Sequence, residues 1–260
     1  MDRPAPARPP APPSPGGTRP ELARPRAVVS WSSGKDAAYA LHEVRRAGRL
    51  EVVGLLTTVT REYGRVSMHG VREELLELQS EATGVPLRRA EIPAHCPNEV
   101  YEATMREVTR ELRADGVEVV VFGDLYLEEV RRYRERMLEG TGLRAEFPLW
   151  GRPTLPLARR MIEEGVRATL VCVDPRQLPR SFAGRRFDAA LLSSLPAGTD
   201  PCGERGEFHT FVDDAPGFSR PIPVRPGEIV EREGFLFADL LPAASTPRGP
   251  DGRRSPDGNL

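Results

Sequence analysis

The sequence predicts an α/β protein in which a doubly wound parallel sheet is followed by a second, smaller α/β domain. Short runs rich in β-branched residues alternate with longer segments of helical periodicity over the first 150 residues. This alternation is typical of a parallel sheet that is covered by helices on both faces. After about Trp150 the alternation becomes irregular and loops rich in Pro and Gly follow, which indicates a separate domain.

Four short apolar runs in the first part are predicted to form its parallel strands. They are Arg26 to Trp31, Glu51 to Thr58, Val85 to Ile92 and Val117 to Phe122. Each run has the length of a buried strand. A helical segment separates each run from the next, as the crossover between parallel strands requires.

The segments between these strands have the apolar spacing of amphipathic helices. The first places Ala37, Ala40, Leu41 and Val44 at positions i, i+3, i+4 and i+7, and the second places Val71, Leu75, Leu78 and Ala82 on one face. Gly48 and Gly84 are positioned to end these two helices, since glycine readily adopts the left-handed conformation of a helix C-terminus. The third helix is expected to start with Asn98 as its N-cap and to run to about Asp115.

The second part of the chain contains a predicted helix and three predicted strands. The helix covers Leu155 to Glu164, and the strands cover Arg167 to Val173, about Glu207 to Val212, and about Ile229 to Phe237. We therefore expect one domain over residues 25–150 and a second over residues 151–242. The division follows from the change in periodicity alone.

The two ends of the chain are predicted to be disordered tails, over residues 1–24 and 243–260. Residues 1–20 hold eight of the 27 prolines, and Met1 is their only bulky apolar residue. The C-terminal stretch is similarly rich in Pro, Gly and Arg. Such segments bury too little apolar surface to offset the entropy of the chain.

The charge and the cysteines exclude several classes of partner. The chain has 37 Lys and Arg against 38 Asp and Glu, so its net charge of −1 makes nucleic acid an unlikely partner. No stretch approaches the roughly 18 apolar residues of a membrane span, and no secretory signal is present, so we expect a cytoplasmic protein without a membrane partner. Cys96, Cys172 and Cys202 are too widely spaced for a metal or redox motif, and we expect reduced thiols.

The segment that follows the first strand is predicted to bind phosphate. It reads Ser32, Ser33, Gly34, Lys35, Asp36 and then continues directly into a helix. Small residues allow the backbone to approach a ligand, and the helix N-terminus presents unpaired N–H groups and a positive dipole. Lys35 is the only lysine in the chain, and a compact ammonium suits a phosphate loop better than a planar guanidinium does. The spacing does not fit the GxxxxGK[ST] loop of kinases and GTPases.

This loop resembles the SGGxDS pyrophosphate loop, or PP-loop, of the ATP pyrophosphatases. It departs from that motif twice, with Ser33 in place of the first Gly and Ala37 in place of the last Ser. Ser33 must then adopt either a negative φ or a strained left-handed conformation, and Ala37 removes one phosphate donor.

Further motifs occur in the order found in the diphthine-ammonia ligase family, which the chain resembles over about residues 26–220. These motifs are GD at 123–124, a helix with Tyr133, Arg134 and Arg136, FPLW at 147–150, and DPCGERGEFHTFV at 200–212. The resemblance implies a Rossmann-like, HUP-type PP-loop ATPase domain, which is a five-stranded parallel sheet that binds ATP, followed by a smaller substrate domain. The Arg-rich, Lys-poor composition and the segment WSSGKDA suggest a bacterial member of this family, whose acyl substrate need not be the family's own.

The resemblance further implies an ATP-dependent, AMP-forming amide ligase. Such an enzyme adenylates a carboxylate with release of pyrophosphate, and ammonia then displaces AMP. The implied partners are ATP, Mg²⁺, ammonia and a carboxylate-bearing substrate, for example a modified protein side chain. Two alternatives to an amide ligase are a tRNA-modifying PP-loop ATPase and a non-catalytic nucleotide sensor.

The residues of the loop suit this chemistry. Loop N–H groups, Ser32, Ser33 and Lys35 are predicted to stabilise the departing pyrophosphate, as preorganised donors do in a transition state. Asp36 is a candidate ligand of Mg²⁺, which proteins usually bind through one or two carboxylates and phosphate oxygens. A plain helix cap is the alternative role for Asp36.

Other candidates follow neighbouring strands at the same edge of the sheet, where open α/β sheets bind their ligands. Thr57 and Thr58 end the second strand and are expected to contact the nucleotide, as is Gly123 after the fourth strand. Asp124 is a candidate for metal or substrate contact. His69 precedes the second helix and is expected to be structural, with nucleotide contact as the alternative.

The DPCGERGEF segment is predicted to serve the second substrate. Glu204 and Glu207 are spaced to project together from a turn, and paired carboxylates can bind an ammonium or accept its proton. Cys202 is expected to be a buried thiol. His209 alternates with two phenylalanines on a short strand, so core packing is expected for it.

Overall fold

The structure, a computed structural model, describes residues 23–243, so the predicted tails fall almost entirely outside it. Two sheets and six α-helices make up the described range. The first sheet and its helices comprise β1 Arg26–Ser30, α1 Lys35–Ala47, β2 Glu51–Thr60, β3 Arg65–Val66, α2 Glu73–Thr83, β4 Leu87–Ile92, α3 Asn98–Ala114, β5 Val119–Val121, α4 Glu128–Leu138 and β6 Arg144–Glu146. The remaining elements are α5 Thr154–Glu163, β7 Arg167–Val173, a 3-10 helix at Arg180–Phe182, α6 Ala189–Ser194, β8 Phe208–Asp214, β9 Val224–Arg232 and β10 Phe235–Pro242.

The first sheet has five parallel strands in the order β4, β2, β1, β5, β6. Leu55 and Leu56 of β2 pair with both β1 and β4, so these two strands lie on opposite sides of β2. β5 pairs with the free side of β1, and β6 follows it in parallel. The chain therefore winds outward in both directions from β1, and the carboxyl ends of β1 and β5 form the switch point at which such sheets bind ligands. The short β3 adds an antiparallel sixth strand to the end of β2.

Helices cover both faces of this sheet, which confirms the predicted doubly wound fold. Val29 of β1 belongs to the core that α1 and α2 cover, whereas its neighbour Val28 belongs to the core that contains Leu112 of α3 and Leu138 of α4. Adjacent residues of a strand point to opposite faces, so a strand buried on both sides is apolar at every position.

The two predicted helix stops are observed, and the predicted N-cap is not. Gly48 and Gly84 follow α1 and α2 with φ of 66° each, in the left-handed conformation. Asn98 is the first residue of α3 rather than its cap, because Pro97 occupies the cap position. The Asn98 side chain instead donates to Glu102, at 2.8 Å.

The second sheet is antiparallel, in the order β8, β7, β10, β9. The single strand predicted near Ile229 to Phe237 is wrong, since β9 and β10 form a hairpin there. Glu233 and Gly234 turn the chain with φ of 51° and 80°. Two consecutive positive φ values are typical of a two-residue hairpin turn. No helix within the described range has the length and apolar character that crossing a bilayer requires.

Candidate active site

Three loops meet at the switch point of the parallel sheet. They are Ser32 to Gly34 between β1 and α1, Gly123 to Leu127 between β5 and α4, and residues 200–207 before β8. Between them lies a cavity of about 220 Å³, hereafter the loop cavity. A larger groove of about 1660 Å³ adjoins it and extends between β2 and the hairpin of the second sheet. Residues lining both are Ser30, Ser32, His69, Phe122, Arg134 and His209.

The two volumes suggest different contents. Pockets for small molecules usually measure about 300–1,000 Å³. The loop cavity is too small for a whole nucleotide and suits a group such as pyrophosphate. The groove exceeds the usual range, so it has room for the rest of a nucleotide together with a second substrate.

Ser33 adopts the strained left-handed conformation, with φ of 70°. Its carbonyl oxygen accepts hydrogen bonds from the Val212 N–H at 2.9 Å and from Gln79 Nε2 at 3.0 Å. These bonds hold a conformation that costs a non-glycine residue about 1 kcal/mol or more. Ser33 is fully buried and its hydroxyl has no partner, so it supports the loop without lining the loop cavity, whereas Ser32 and Gly34 do line it.

Gln79 links the loop from Ser32 to Gly34, hereafter the phosphate loop, to the second sheet. No motif or periodicity in the sequence predicts this role. Its side chain is completely buried on α2. Nε2 donates to the carbonyls of Ser33 and Val212, and Oε1 accepts from the indole N–H of Trp31 at 2.8 Å. All of its hydrogen-bonding capacity is used within the protein apart from one lone pair, as expected of a buried amide.

The Lys35 side chain is almost completely buried, with 2% of its surface exposed. Its ammonium donates to Asp36 Oδ2 at 2.7 Å and to the carbonyl of Cys202, and lies 5.5 Å from the rings of Phe187 and Phe208. Burial is the largest influence on the pKa of Lys35 and would lower it, but the neighbouring acidic groups together, Asp36 foremost, raise it. The ammonium is therefore charged, and it donates to Asp36 and Cys202. This differs from the expectation that Lys35 stabilises the departing pyrophosphate directly.

The backbone N–H of Lys35 is likewise occupied, since it donates to Thr210 Oγ1 at 3.0 Å. Thr210 belongs to β8, so the second sheet contacts the N-terminus of α1 directly. The donors left for an anion are the following N–H groups of the first turn, which have no partner inside a helix.

Asp36 and Asp124 face the loop cavity with carboxylate oxygens that lack hydrogen-bond partners. These are Asp36 Oδ1 and Asp124 Oδ2, both buried. Burial raises the pKa of both carboxyls, and Asp124 also raises that of Asp36. Buried carboxylate oxygens without hydrogen-bond partners are suited to bind a cation.

Gly123 allows this arrangement because it lies against the start of α1. A Cβ at this position would come within 2.8 Å of the Asp36 carbonyl carbon and 3.0 Å of the Ala37 nitrogen. Its φ is not positive, so close approach rather than turn geometry requires glycine. The contact of Gly123 with a nucleotide is still a prediction.

Glu204 lies opposite the two aspartates and is held by the β5 loop. Its Oε1 accepts from the backbone N–H groups of Leu125 at 2.7 Å and Tyr126 at 3.3 Å. Burial, reinforced by Asp36 and Asp124, raises the pKa of Glu204 to about 7. Glu204 is therefore poised to exchange a proton near neutral pH.

Glu207 does not project beside Glu204, so the predicted carboxylate pair is wrong. Its side chain is 1% exposed and accepts hydrogen bonds from the backbone N–H groups of Asp200 at 2.8 Å and Arg205 at 2.9 Å. The Arg205 guanidinium pairs with the same carboxylate at 2.9 Å. The turn folds around Glu207, which fixes the shape of the loop that carries Glu204.

Thr57 and Thr58 line the groove and not the loop cavity. The hydroxyl of Thr57 is buried and has no hydrogen-bond partner. The two residues therefore lie where the nucleoside part of a nucleotide would extend from the phosphate loop. Their contact with a nucleotide remains a prediction.

His69 and His209 form a stacked pair between the groove and the loop cavity. Their ring centroids are 4.4 Å apart, and Nδ1 of His69 has no partner. Burial lowers the pKa of His69 well below its usual value and that of His209 to about 4, so both rings are neutral at pH 7. The expectation that His209 packs in the core is wrong, because the strand that carries it runs along the cavity wall.

A further group of potential metal ligands, His42, Glu43 and Glu164, lies outside this site. Glu43 pairs with Arg152, and Glu164 pairs with Arg160 at 2.8 Å. Arginines thus already neutralise these carboxylates, and none of their oxygens is among the buried polar atoms without a hydrogen-bond partner, as Asp36 Oδ1 and Asp124 Oδ2 are.

Comparison with known proteins identifies relatives along most of the chain. Family models for the diphthamide synthase N-terminal domain and the diphthamide synthase C-terminal domain match residues 25–145 and 153–239. Diphthine–ammonia ligase from Homo sapiens is 26% identical over 237 residues, covering 83% of this chain and 88% of that protein. The protein of the same name from Danio rerio is 28% identical over 242 residues, covering 83% and 92%. The Schizosaccharomyces pombe protein is 26% identical over 219 residues, and the match spans only 36% of its length.

Proposed function

The chain belongs to the diphthamide synthase family, and from this premise we propose that it is an ATP-dependent, AMP-forming ligase that joins ammonia to a carboxylate. Its acyl substrate is diphthine-bearing, as the name of its relatives indicates for those proteins. Its substrates are ATP, ammonia and this carboxylate, and its products are the amide, AMP and pyrophosphate.

The observation that carries this proposal is the composition of the loop cavity. Its lining combines the N-terminus of α1 and small loop residues with the carboxylates of Asp36, Asp124 and Glu204. A helix N-terminus favours phosphate, and carboxylate oxygens without hydrogen-bond partners favour cations. Such a cavity suits a reaction in which pyrophosphate leaves and an ammonium loses its protons.

The phosphate loop stabilises the leaving group. Negative charge grows on the pyrophosphate as its bond to the α-phosphorus breaks, and the N–H groups of the first turn of α1, with the hydroxyl of Ser32, face it. Preorganised donors of this kind are commonly worth about 3–4 kcal/mol each in the barrier. Lys35 holds Asp36 in place through their ion pair.

Asp36 and Asp124 fit a magnesium ion. Their unpartnered oxygens lie in the same cavity as the phosphate loop. Mg²⁺ prefers one or two carboxylates together with phosphate oxygens. When bound, the ion would supply positive charge to the phosphates of ATP.

Glu204 accepts a proton from the incoming ammonium. Ammonia attacks the acyl carbon only as the free amine, so a base must take a proton at neutral pH. Glu204 has one oxygen bound to backbone and a pKa near 7, which matches that task. The interior position of Glu207 leaves Glu204 as the single base contributed by this loop.

The test is a product analysis with ATP, Mg²⁺, ammonium and a peptide that carries diphthine. We expect AMP, pyrophosphate and the peptide amide in equal amounts. ADP as the nucleotide product would contradict the proposal. ATP binding without turnover would favour a nucleotide sensor, and turnover stimulated only by tRNA would favour a tRNA-modifying enzyme.

We also propose that the reaction takes place in the cytoplasm. All three cysteines are free. Free thiols are typical of proteins in a reducing compartment. Secretion of the active protein into an oxidising compartment would contradict this proposal.

A further inference from the structure

Arg134 stands at the junction of the loop cavity and the groove and lines both. It belongs to α4, and its guanidinium lies 5.2 Å from the ring of Phe122. Phe122 stacks on Phe147 at 5.4 Å, and Arg131 lies against the rings of Phe147 and Trp150 at 5.0 and 4.8 Å. Alternating arginines and aromatic rings thus hold Arg134 in place, because a cation–π contact favours a guanidinium that lies over the face of the Phe122 ring.

The Arg134 side chain is held against Phe122, but one of its hydrogen-bond donors is unused. Its Nε is buried and has no hydrogen-bond partner. Nε lies 3.7 Å from Asp124 Oδ2, an ion-pair distance that is too long for a hydrogen bond, and this oxygen likewise accepts no hydrogen bond. A buried, oriented and unpartnered donor indicates a site for an anionic ligand.

The position of Arg134 narrows the choice of anion. Pyrophosphate belongs to the loop cavity, and the groove has room for the acyl substrate. The α-phosphorus of ATP must lie between them, where the substrate carboxylate approaches it. Arg134 borders this junction from the groove side, together with Phe122.

We propose that Arg134 binds the carboxylate of the acyl substrate and orients it toward the α-phosphorus of ATP. This inference rests on the proposed function. A guanidinium presents parallel N–H donors that match the two oxygens of a carboxylate, a geometry that an ammonium lacks. One carboxylate oxygen stays on Arg134 while the other attacks.

The step that Arg134 serves is a displacement at phosphorus. A carboxylate oxygen forms a new O–P bond to the α-phosphorus, and the bond to the bridging oxygen of the β-phosphate breaks. Pyrophosphate leaves with that electron pair, and the acyl adenylate remains. Binding by Arg134 keeps the carboxylate ionised and restricts its orientation, which lowers the entropy that the reaction must lose.

The test compares Arg134→Gln and Arg134→Lys with Arg132→Gln as the matched control. Arg132 lies on the same helix, is largely exposed, and lines neither the groove nor the loop cavity. For Arg134→Gln we expect the KM for a diphthine-bearing peptide to rise by about ten- to hundredfold, the range for loss of hydrogen bonds to a charged group. The KM for ATP changes less than threefold, Arg134→Lys is intermediate, and Arg132→Gln behaves as wild type.

A binding measurement separates this inference from the proposed function. The wild-type protein, with a non-hydrolysable ATP analogue, is expected to bind the diphthine peptide about tenfold or more tightly than the corresponding amide peptide. Arg134→Gln is expected to bind both equally. A wild-type protein that forms no AMP contradicts the proposed function, whereas an unchanged acid-to-amide preference in Arg134→Gln, or a rise in the KM for ATP alone, overturns the inference.

Discussion

Lys35 illustrates how a residue shapes a site without lying open to its ligand. Its ammonium is enclosed by two phenyl rings and donates to Asp36 and to the carbonyl of Cys202. It therefore joins the start of α1 to the loop that carries Glu204. The sequence singles out Lys35 as the only lysine, but its partner Cys202 lies 167 residues away. A local motif predicts the loop and not such a distant contact.

We predict that Lys35→Met lowers the free energy of unfolding by about 3 kcal/mol, because the change breaks a buried ion pair and leaves Asp36 and the Cys202 carbonyl without a donor. Urea denaturation measures the loss. Pyrophosphate affinity, measured by calorimetry on the folded variant, is expected to stay within threefold of wild type. A variant of wild-type stability that no longer binds pyrophosphate would show that Lys35 contacts the phosphates directly.

Glu204 offers a test of proton transfer that preserves the loop. In Glu204→Gln the amide oxygen can still accept from the N–H groups of Leu125 and Tyr126, but the side chain cannot take a proton. We expect ATP binding and adenylate formation to persist, while amidation slows by about 10²- to 10⁴-fold. A rapid-quench assay distinguishes the two steps, and equal slowing of both would contradict the role of Glu204.

The pH dependence of the same pair of proteins gives an independent check. A base must be ionised, and the pKa of Glu204 is raised to about 7, so wild-type amidation rises as pH increases toward 7 and levels off above it. The ratio of wild-type to Glu204→Gln rates removes the titration of ammonium itself. We expect this ratio to rise about tenfold per pH unit below 7. A ratio independent of pH would assign the proton to another group.

At the scale of elements, short-range signals explain which predictions succeed. Helices α1 and α2 have a clear 3.6-residue period and end at Gly48 and Gly84 as predicted. β3 and β6 have two and three residues, too few for a period to be recognised. The sequence predicts one strand where β9 and β10 form a hairpin, because the turn at Glu233 and Gly234 interrupts an otherwise extended pattern by only two residues.

The packing of the β5–α4 loop on α1 depends on Gly123. We predict that Gly123→Ala destabilises the protein by about 1–3 kcal/mol, the usual effect of overpacking, and weakens ATP binding because the new methyl displaces the N-terminus of α1. Thermal denaturation and nucleotide titration measure the two effects. Gly140→Ala serves as control for nucleotide binding, since its positive φ strains the new residue but no atom lies within 4 Å of the added Cβ. We expect Gly140→Ala to lose stability through backbone strain while keeping the ATP affinity of the wild type. An equal loss of ATP affinity in the two variants, or none in Gly123→Ala, would contradict the close-approach argument.

At the scale of the whole molecule, the second sheet contributes directly to the phosphate loop. In strand β8, the Val212 N–H donates to the Ser33 carbonyl, and the Thr210 hydroxyl accepts from the Lys35 N–H. The loop before β8 carries Glu204. The two sheets therefore build one site, whereas the sequence suggested a nucleotide domain followed by a separate substrate domain. Long-range contacts of this kind leave no periodic signal in the sequence, so only the local half of the site was predictable.

Gln79 tests this coupling. We predict that Gln79→Leu lowers the free energy of unfolding by about 2–4 kcal/mol, because the Trp31 N–H and the carbonyls of Ser33 and Val212 lose a buried partner. ATP affinity is also expected to fall, since Ser33 loses one of the bonds that hold its left-handed conformation. Calorimetric unfolding and nucleotide titration follow the two effects.

Gln177→Leu is the matched control, because Gln177 is exposed and its side chain makes a single hydrogen bond, to Asp174. We expect it to change both quantities little. If Gln79→Leu lost stability but kept full ATP affinity, the second sheet would support the fold without shaping the phosphate loop.

The central claim is that the carboxylate attacks the α-phosphorus of ATP. The most direct measurement uses a diphthine peptide whose carboxylate is labelled with ¹⁸O, in a reaction with ATP, Mg²⁺ and ammonium, followed by mass spectrometry of the nucleotide. Because the attacking oxygen stays on phosphorus when ammonia displaces AMP from the acyl carbon, we predict one ¹⁸O atom in the AMP phosphate. Label in inorganic phosphate together with ADP, or AMP without label, would contradict the account.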